Sequence, residues 1–404
     1  STPFREAFVS LDVEALRADT PGTQERVHLN NAGAALMPRP VVAAIQDHLQ
    51  LEARVGGYEA ADLRHEAIRG VYQALAALVS GEPHQIALME HATSAFVAAL
   101  SSVPFRPGDV LLTTRHDYVS NQIQNLSLLE RWGIEVVRAP DGPEGGVDVG
   151  ALRDLVHRRR PRLVAMSHIP TNSGLVQDVA AVGTVCRERE TLFLVDACQS
   201  VGQMPLDAEA LGADFLSATA RKFLRGPRGA GFLWVSDRVL DRGLEPLFPD
   251  LRGADWVDTD RYQPAPSAVR FESWEFAWAL ILGMGEAARY ALELGMEAVR
   301  GRSWHLASDL RRRLEAIPGV RVLDRGPELC AIVTAAVEGW EPPDLVEALR
   351  EQSINTSSVT RESAVIDFDD KGVTGALRIS PHYYNTESEL DAVVQSLADL
   401  VTAS

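Results

Sequence analysis

Lysine is almost absent from this chain. Of the 39 lysine and arginine residues among its 404, two are lysines, Lys222 and Lys371. Arginine keeps its proton near neutral pH and cannot serve as an amine nucleophile. A Schiff base on this protein therefore has two possible addresses. Lys371 stands in an acidic turn, DFDDKGVTG, where a solvated cation is the expected role. Lys222 has more suggestive company: it follows Asp196 by 26 residues and precedes a glycine-rich stretch, LRGPRGAGF.

Four pieces with chemical potential occur in order. In EHATSAFVAAL, Thr93 and Ser94 stand where a helix begins. Hydroxyls and free N–H groups there suit a phosphate, although a plain N-cap has the same signature. FLVDACQSVG then puts Asp196 and Gln199 at the end of an apolar strand, where open α/β sheets collect ligands. Asp196 could pair with a protonated ring nitrogen or cap the next helix. In SATARKFLRGPRGAGF, Thr219 and Arg221 can bind an oxyanion beside Lys222. Gly226, Gly229 and Gly231 precede a strand instead of opening a helix, so they are no dinucleotide fingerprint and predict a tight return. Last, ALRISPHYYNTESEL offers Arg378, a bidentate clamp for a carboxylate or a surface arginine. A lysine nucleophile, an acid for a pyridine nitrogen and a phosphate seat are the needs of pyridoxal phosphate.

Elements that could position these residues are legible. The runs DVLLTT, GIEVVRA, PRLVAMSHI, TLFLVDA, ADFLSATA and GAGFLWVS have strand length, and several lack polar alternation. They read as a parallel sheet buried on both faces, in an α/β core. Helical periods lie in VVAAIQDHLQLEARV, IRGVYQALAALVSG, NQIQNLSLLERW, VGALRDLVHRRR and VAAVGTVCRERE. Arg158, Arg159 and Arg160 before Pro161 suit a helix end. Residues 248–268 look irregular, and a loop of that length is usually functional. Helices and short strands follow. We expect a large domain over 21–275 and a small α+β domain over 276–404 that includes 1–20, since 44.0 kDa exceeds one ordinary core.

The net charge of −17 disfavours polyanion partners. Three cysteines, Cys186, Cys198 and Cys330, have no metal-ligand spacing and point to a reducing compartment. No apolar run reaches the roughly 18 residues of a membrane span, and no signal-like core opens the chain. A cytoplasmic protein without membrane, nucleic-acid or metal partners is expected.

From HLNNAGAALMP to RISPHYYNTESEL the chain resembles fold-type I pyridoxal-phosphate enzymes of the class V aminotransferase family, which holds cysteine desulfurases, isopenicillin N epimerases, kynureninases and cysteine-conjugate lyases. The resemblance implies a large domain with a mostly parallel seven-stranded sheet. It also implies Lys222 as the Schiff-base lysine, Asp196 on the pyridine nitrogen and Gln199 on the phenolic oxygen. Thr93, Ser94, Thr219 and Arg221 would hold phosphate. Asn172, in SHIPTNSGLVQDV, would bind the substrate carboxylate together with Arg378, with Asn31 of the first motif nearby. His116 or Tyr118, in RHDYVSN, would cover the ring. A homodimer with active sites at the interface is implied too.

Within the family, desulfurases carry a persulfide-forming cysteine on a mobile loop, and here SSVTRESAV places Ser363 near that position. RFESWEF, with Trp274 and Glu275, is bulkier than the desulfurase turn that reaches the partner's active site and contacts phosphate. RVGGYEAADL and LNNAGAALMP look like cysteine S-conjugate lyases of ergothioneine- or lincosamide-type pathways. The implied reaction is C–S β-elimination, with Tyr58 either touching the leaving group or packing at a helix end. Decarboxylating oxidative deamination, epimerisation or transamination by the same lysine, and a cofactor-free scaffold, are the alternatives.

Overall fold

A computed structural model describes residues 11–403. The first ten residues of the segment expected to join the small domain lie outside that range. Seven strands form the large sheet: β1 (Ile86–Met89), β2 (Val110–Thr113), β3 (Glu135–Arg138), β4 (Leu163–Ser167), β5 (Leu192–Asp196), β6 (Phe215–Thr219) and β7 (Gly231–Val235). Their order is β1-β7-β6-β5-β4-β2-β3, and β7 alone runs antiparallel to its neighbours. All but the edge strand β3 are buried at every position. This explains their unbroken apolar runs. β1 is the strand that periodicity alone does not single out.

Helices cover both faces. On one side lie α1 (Arg39–Val55), α3 (His65–Leu78), α6 (Val149–Arg159), α7 (Val179–Glu188) and α8 (Trp278–Leu294), with α2 (Gly57–Leu63) between the first two. On the other lie α4 (Ala92–Ser102) and α5 (Val119–Trp132). Phe193 and Trp234 face the first core and Phe215 the second, each fully enclosed. Such a side chain contributes about 1.5–3 kcal/mol by leaving water. Trp234 also donates its indole N–H to Gln85 Oε1 at 3.0 Å, so its polar atom is satisfied. Arg160 caps α6 in the left-handed conformation, as the arginine-rich helix end predicts.

The stretch expected to be irregular contains an exposed antiparallel hairpin, β8 (Ala254–Asp258) with β9 (Arg261–Pro264). A second sheet is wholly antiparallel, in the order β10-β11-β13-β12: β10 (Val320–Val322), β11 (Val333–Val337), β12 (Ser357–Thr360) and β13 (Gly375–Ile379). It packs against α9 (Met296–Glu315), α10 (Pro342–Glu351) and α12 (Glu387–Ala403), whose leucines share one core. The short helix α11 (Val365–Lys371) lies between β12 and β13.

Ile281, Met284 and Ala288 of α8 belong to the large sheet's core, so we propose the domain division at Gly295 instead of 275/276. The N-terminal segment ties the units together. Val27–His28 pairs in parallel with Ile354–Asn355, and Asn30 bridges to Ser380. The buried Arg225 guanidinium reaches Thr20 Oγ1, Leu36 O and the Tyr383 hydroxyl. No helix among the described residues is long and apolar enough to cross a membrane.

Candidate active site

Five strands end on one side of the large sheet, and the chain that follows each supplies a wall of a cavity of about 330 Å³. β1 leads to His91 and Thr93, β2 to Tyr118, β4 to Thr171, β5 to Asp196 and Gln199, and β6 to Thr219, Arg221 and Lys222. This is the carboxyl edge of the sheet, where crossover connections leave room for a ligand. The return from Lys222 into β7 is tight, as the glycines predict: Gly226 N donates to Ala220 O at 2.8 Å. A Cβ on Gly231 would come within 2.6 Å of Ala218 O.

Lys222 is buried, and its ammonium makes no hydrogen bond or ion pair among the described residues. Its Nζ lies 5.7 Å from the centre of the Tyr118 ring. Burial first, then Arg221 and Arg378, push its pKa down, while Cys198 and Asp196 pull the other way. A largely desolvated amine without an acceptor is poised to lose its proton and act as a nucleophile or base. Tyr118 caps α5, and its backbone N–H donates to Ser167 Oγ at 3.2 Å.

Asp196 is held by two donors, Asn121 Nδ2 at 2.9 Å and the Cys198 backbone N–H at 3.0 Å. These bonds fix the carboxylate at the strand end. Gln199 donates Nε2 to Ala32 O and Thr171 Oγ1, and its buried Oε1 has no partner. Arg378, in the middle of β13, donates Nη1 to Thr171 O and Oγ1, and Nη2 to Asn30 Oδ1. Its Nε is buried without a partner, and no carboxylate faces it. Desolvation, then Arg221, lowers its pKa to about 10. A buried guanidinium lacking an anion has the geometry to take a carboxylate.

Several expected site residues lie elsewhere. Ser94 is spent on its own helix start: Oγ donates to His91 O, and its N–H to His91 Nδ1. The imidazole of His91 is thus the N-cap of α4, leaving Thr93 in the cavity wall. Asn31 is enclosed, donating to Ser380 O at 2.7 Å and accepting from the Tyr384 hydroxyl at 2.5 Å. Its neighbour Asn30 is the residue that meets Arg378. Asn172 donates to Asp367 Oδ2 at 2.8 Å, and Thr171 lines the cavity instead. His116 sits between Asp141 at 3.1 Å and Asp367 at 3.5 Å, away from the cavity, so Tyr118 is the ring-covering candidate. Trp274 and Tyr58 line a second cavity. Arg221 lines the first, with one guanidinium nitrogen on Gly33 O.

Lys371 is also not solvated: it is 5% exposed and pairs with Asp367 at 2.8 Å. Cys198 lines the cavity, its thiol pushed well up by burial and Asp196, whereas Cys186 and Cys330 are buried in the cores. Asn121, Thr171, Asn30 and His91 are the positions in and around the cavity that motif reading passes over. Asn121 stands three residues after Tyr118 on the first turn of α5, and that spacing is the signal that was available.

The residues present fit pyridoxal phosphate. A free buried amine, an anchored carboxylate, a stacking ring and the hydroxyl-bearing helix start of Thr93 surround one volume, and the orphaned Gln199 and Arg378 atoms await partners. Comparison with known proteins agrees. Residues 27–393 match the model of the aminotransferase class-V family. A probable cysteine desulfurase of Methanothermobacter thermautotrophicus is 28% identical over 402 residues, 97% of this chain and 99% of its own. A probable hercynylcysteine sulfoxide lyase of Mycobacterium tuberculosis is 28% identical over 380 residues, 94% of this chain and 91% of its own. The apo structure of a cysteine desulfurase from Thermococcus onnurineus superposes with a TM-score of 0.88 at 24% identity, over 97% of this chain and 98% of that one. The chain belongs to the class-V aminotransferase family, has the fold-type I pyridoxal-phosphate transferase fold, and is an enzyme of the desulfurase and C–S lyase class.

Proposed function

We propose that the chain is a C–S β-lyase that cleaves a cysteine S-conjugate to a thiol or sulfenate, pyruvate and ammonia. One observation carries this choice over sulfur transfer. Ser363 stands in the segment between β12 and α11, where the desulfurase resemblance expects a cysteine. The three cysteines lie in two core positions and one cavity wall, none on that segment. A persulfide therefore has no exposed thiol on which to leave the site.

Bound pyridoxal phosphate supplies an electron sink conjugated with the substrate α-carbon. Lys222, with its depressed pKa, takes the α-proton. Asp196, oriented by Asn121 and the Cys198 N–H, holds a proton on the pyridine nitrogen. Tyr118 would cover the ring, Thr93, Thr219 and Arg221 would hold the phosphate, and Arg378 with Asn30 and Thr171 would seat the substrate carboxylate. Gln199 would serve the phenolic oxygen.

A second copy of the chain completes the enzyme. Leu247, Phe248, Leu251 and Trp256 are 51%, 85%, 64% and 81% exposed along one segment, and large apolar side chains grouped in water mark an interaction surface. Light scattering should give a dimer, and Phe248→Glu should yield monomers.

The activity test supplies the holoenzyme with several cysteine S-conjugates and with free cysteine, and assays thiol, pyruvate, alanine and carbon dioxide together. Thiol with equal pyruvate is the expected result. Alanine from free cysteine would establish a desulfurase, and carbon dioxide with an aldehyde the decarboxylating reaction.

A further inference from the structure

Thr171 is shared by the two arms of the active site. Its hydroxyl accepts Gln199 Nε2 at 3.0 Å and Arg378 Nη1 at 2.8 Å, and its carbonyl accepts Arg378 Nη1 at 3.0 Å. A hydroxyl has two acceptor sites and one hydrogen. Both acceptor sites are filled, and Thr171 lines the cavity, so the hydrogen is the part left for a ligand.

Thr171 belongs to the loop after β4 of the large domain, yet that loop is held from the small domain. Gly174 N donates to Asp324 Oδ1 at 3.0 Å, and Cys330 N donates to Gly174 O at 2.7 Å. Ile169 sits in the core behind the antiparallel sheet. The residue next to Thr171 is held in the same way, because Asn172 Nδ2 donates to Asp367 Oδ2 at 2.8 Å. Asp367 stands on α11, and its side chain is 4% exposed. Lys371 Nζ, one turn further along α11, lies 2.8 Å from the same oxygen, and His116 faces the other oxygen at 3.5 Å. Asp370 of α11 accepts from Arg115 of the large domain, so the helix is itself anchored across the boundary.

We propose that Asp367 is a positioning residue for recognition of the substrate carboxylate. By holding Asn172 it sets the direction of the Thr171 hydroxyl and carbonyl, and through them the plane of the Arg378 guanidinium. A bidentate carboxylate needs two donors lying in its own plane. Arg378 Nε has no partner and Nη2 gives one hydrogen to Asn30 Oδ1, so the edge shared by Nε and Nη2 is what remains for a carboxylate. The far corner, Nη1, is gripped among the described residues by Thr171 alone, and a turn of Thr171 therefore tilts that edge. Lys371 neutralises the buried Asp367 and does not reach the loop. The proposal rests on the reading of Arg378 as the carboxylate site and on no choice among C–S reactions.

The test separates carboxylate recognition from stability of the fold. The holoenzyme is titrated with glycine and with methylamine, which differ by the carboxylate and carry no leaving group, and binding is read from the visible absorbance. Asn172→Ala should weaken glycine about tenfold and leave methylamine nearly unchanged. Asp367→Leu with Lys371→Met, which replaces the buried pair by apolar side chains, should do the same. Combining the two sets should do no more than either alone, because both cut one link. Asp367→Asn with Lys371→Met keeps an oxygen for Asn172 and should keep the preference for glycine. Equal weakening of glycine and methylamine is what a purely structural role gives, and it overturns the proposal. A preference that survives Asn172→Ala overturns it as well. If Arg378→Ala also leaves the preference intact, the carboxylate reading falls and the proposal with it. If Arg378→Ala removes the preference and Asp367→Leu with Lys371→Met does not, the proposal falls alone.

Discussion

The side chains of the two lysines are both buried, and their surroundings are opposite. Lys371 has Asp367 at 2.8 Å, and Asp367 also receives Asn172 and stands 3.5 Å from His116. Lys222 has no acceptor and rests over the Tyr118 ring, with Arg221 and Arg378 near enough to disfavour its charge. One ammonium is compensated within α11, and its partner Asp367 also accepts from Asn172 in the loop after β4. The other is left uncompensated, and that lack is a source of reactivity. Burial alone does not separate a structural lysine from a reactive one; the partner does.

The contrast is broken most severely by Lys222→Ala. Turnover should fall roughly 10³–10⁴-fold, the visible absorbance of bound cofactor should vanish, and borohydride reduction with peptide mapping should lose its label at position 222. Lys371→Ala should keep the label and most of kcat but lower stability to urea by about 3–5 kcal/mol, because Asp367 is left buried without its cation. Adding Asp367→Asn should restore a large part of that loss, measured as a double-mutant coupling. Arg378→Ala should raise KM for amino-acid substrates by about 30-fold or more with a smaller change in kcat; an unchanged KM would remove it from the carboxylate site.

The smallest effect is on the apoprotein's stability. Folding holds the pKa of Lys222 below its ordinary value, so between the two values the unfolded chain binds the extra proton. Stability should therefore rise with pH up to lysine's ordinary range, about 10.4. Lys222→Met should remove that slope and stabilise the apoprotein at neutral pH by about 1–2 kcal/mol, at the expense of all activity.

The strand-end residues were legible because each stands at the end of a strand-length apolar run. Asp196, Thr219 and Lys222 each follow an apolar run, and the sheet delivers such followers to one edge. Offsets of one residue were not legible. Asn31 against Asn30, and Asn172 against Thr171, differ by which way a loop side chain turns, and that is decided by partners such as Ser380 and Asp367, some 195 to 349 residues away. Lys371 failed for the same reason. An acidic turn reads as solvated until Asn172 and His116 arrive from the other domain to enclose it. The hairpin β8–β9 was missed because it is nearly all exposed and carries no buried alternation.

The N-terminal segment has a mechanical consequence. Residues 27–30 are stitched to the small domain through Ile354, Asn355 and Ser380, whereas Val41 of α1 lies in the large sheet's core. The peptide between them is a strap that transmits any rocking of one body to the other. Asn30, at its near end, touches Arg378. Carboxylate capture and the link between the two bodies are therefore felt by the same few residues.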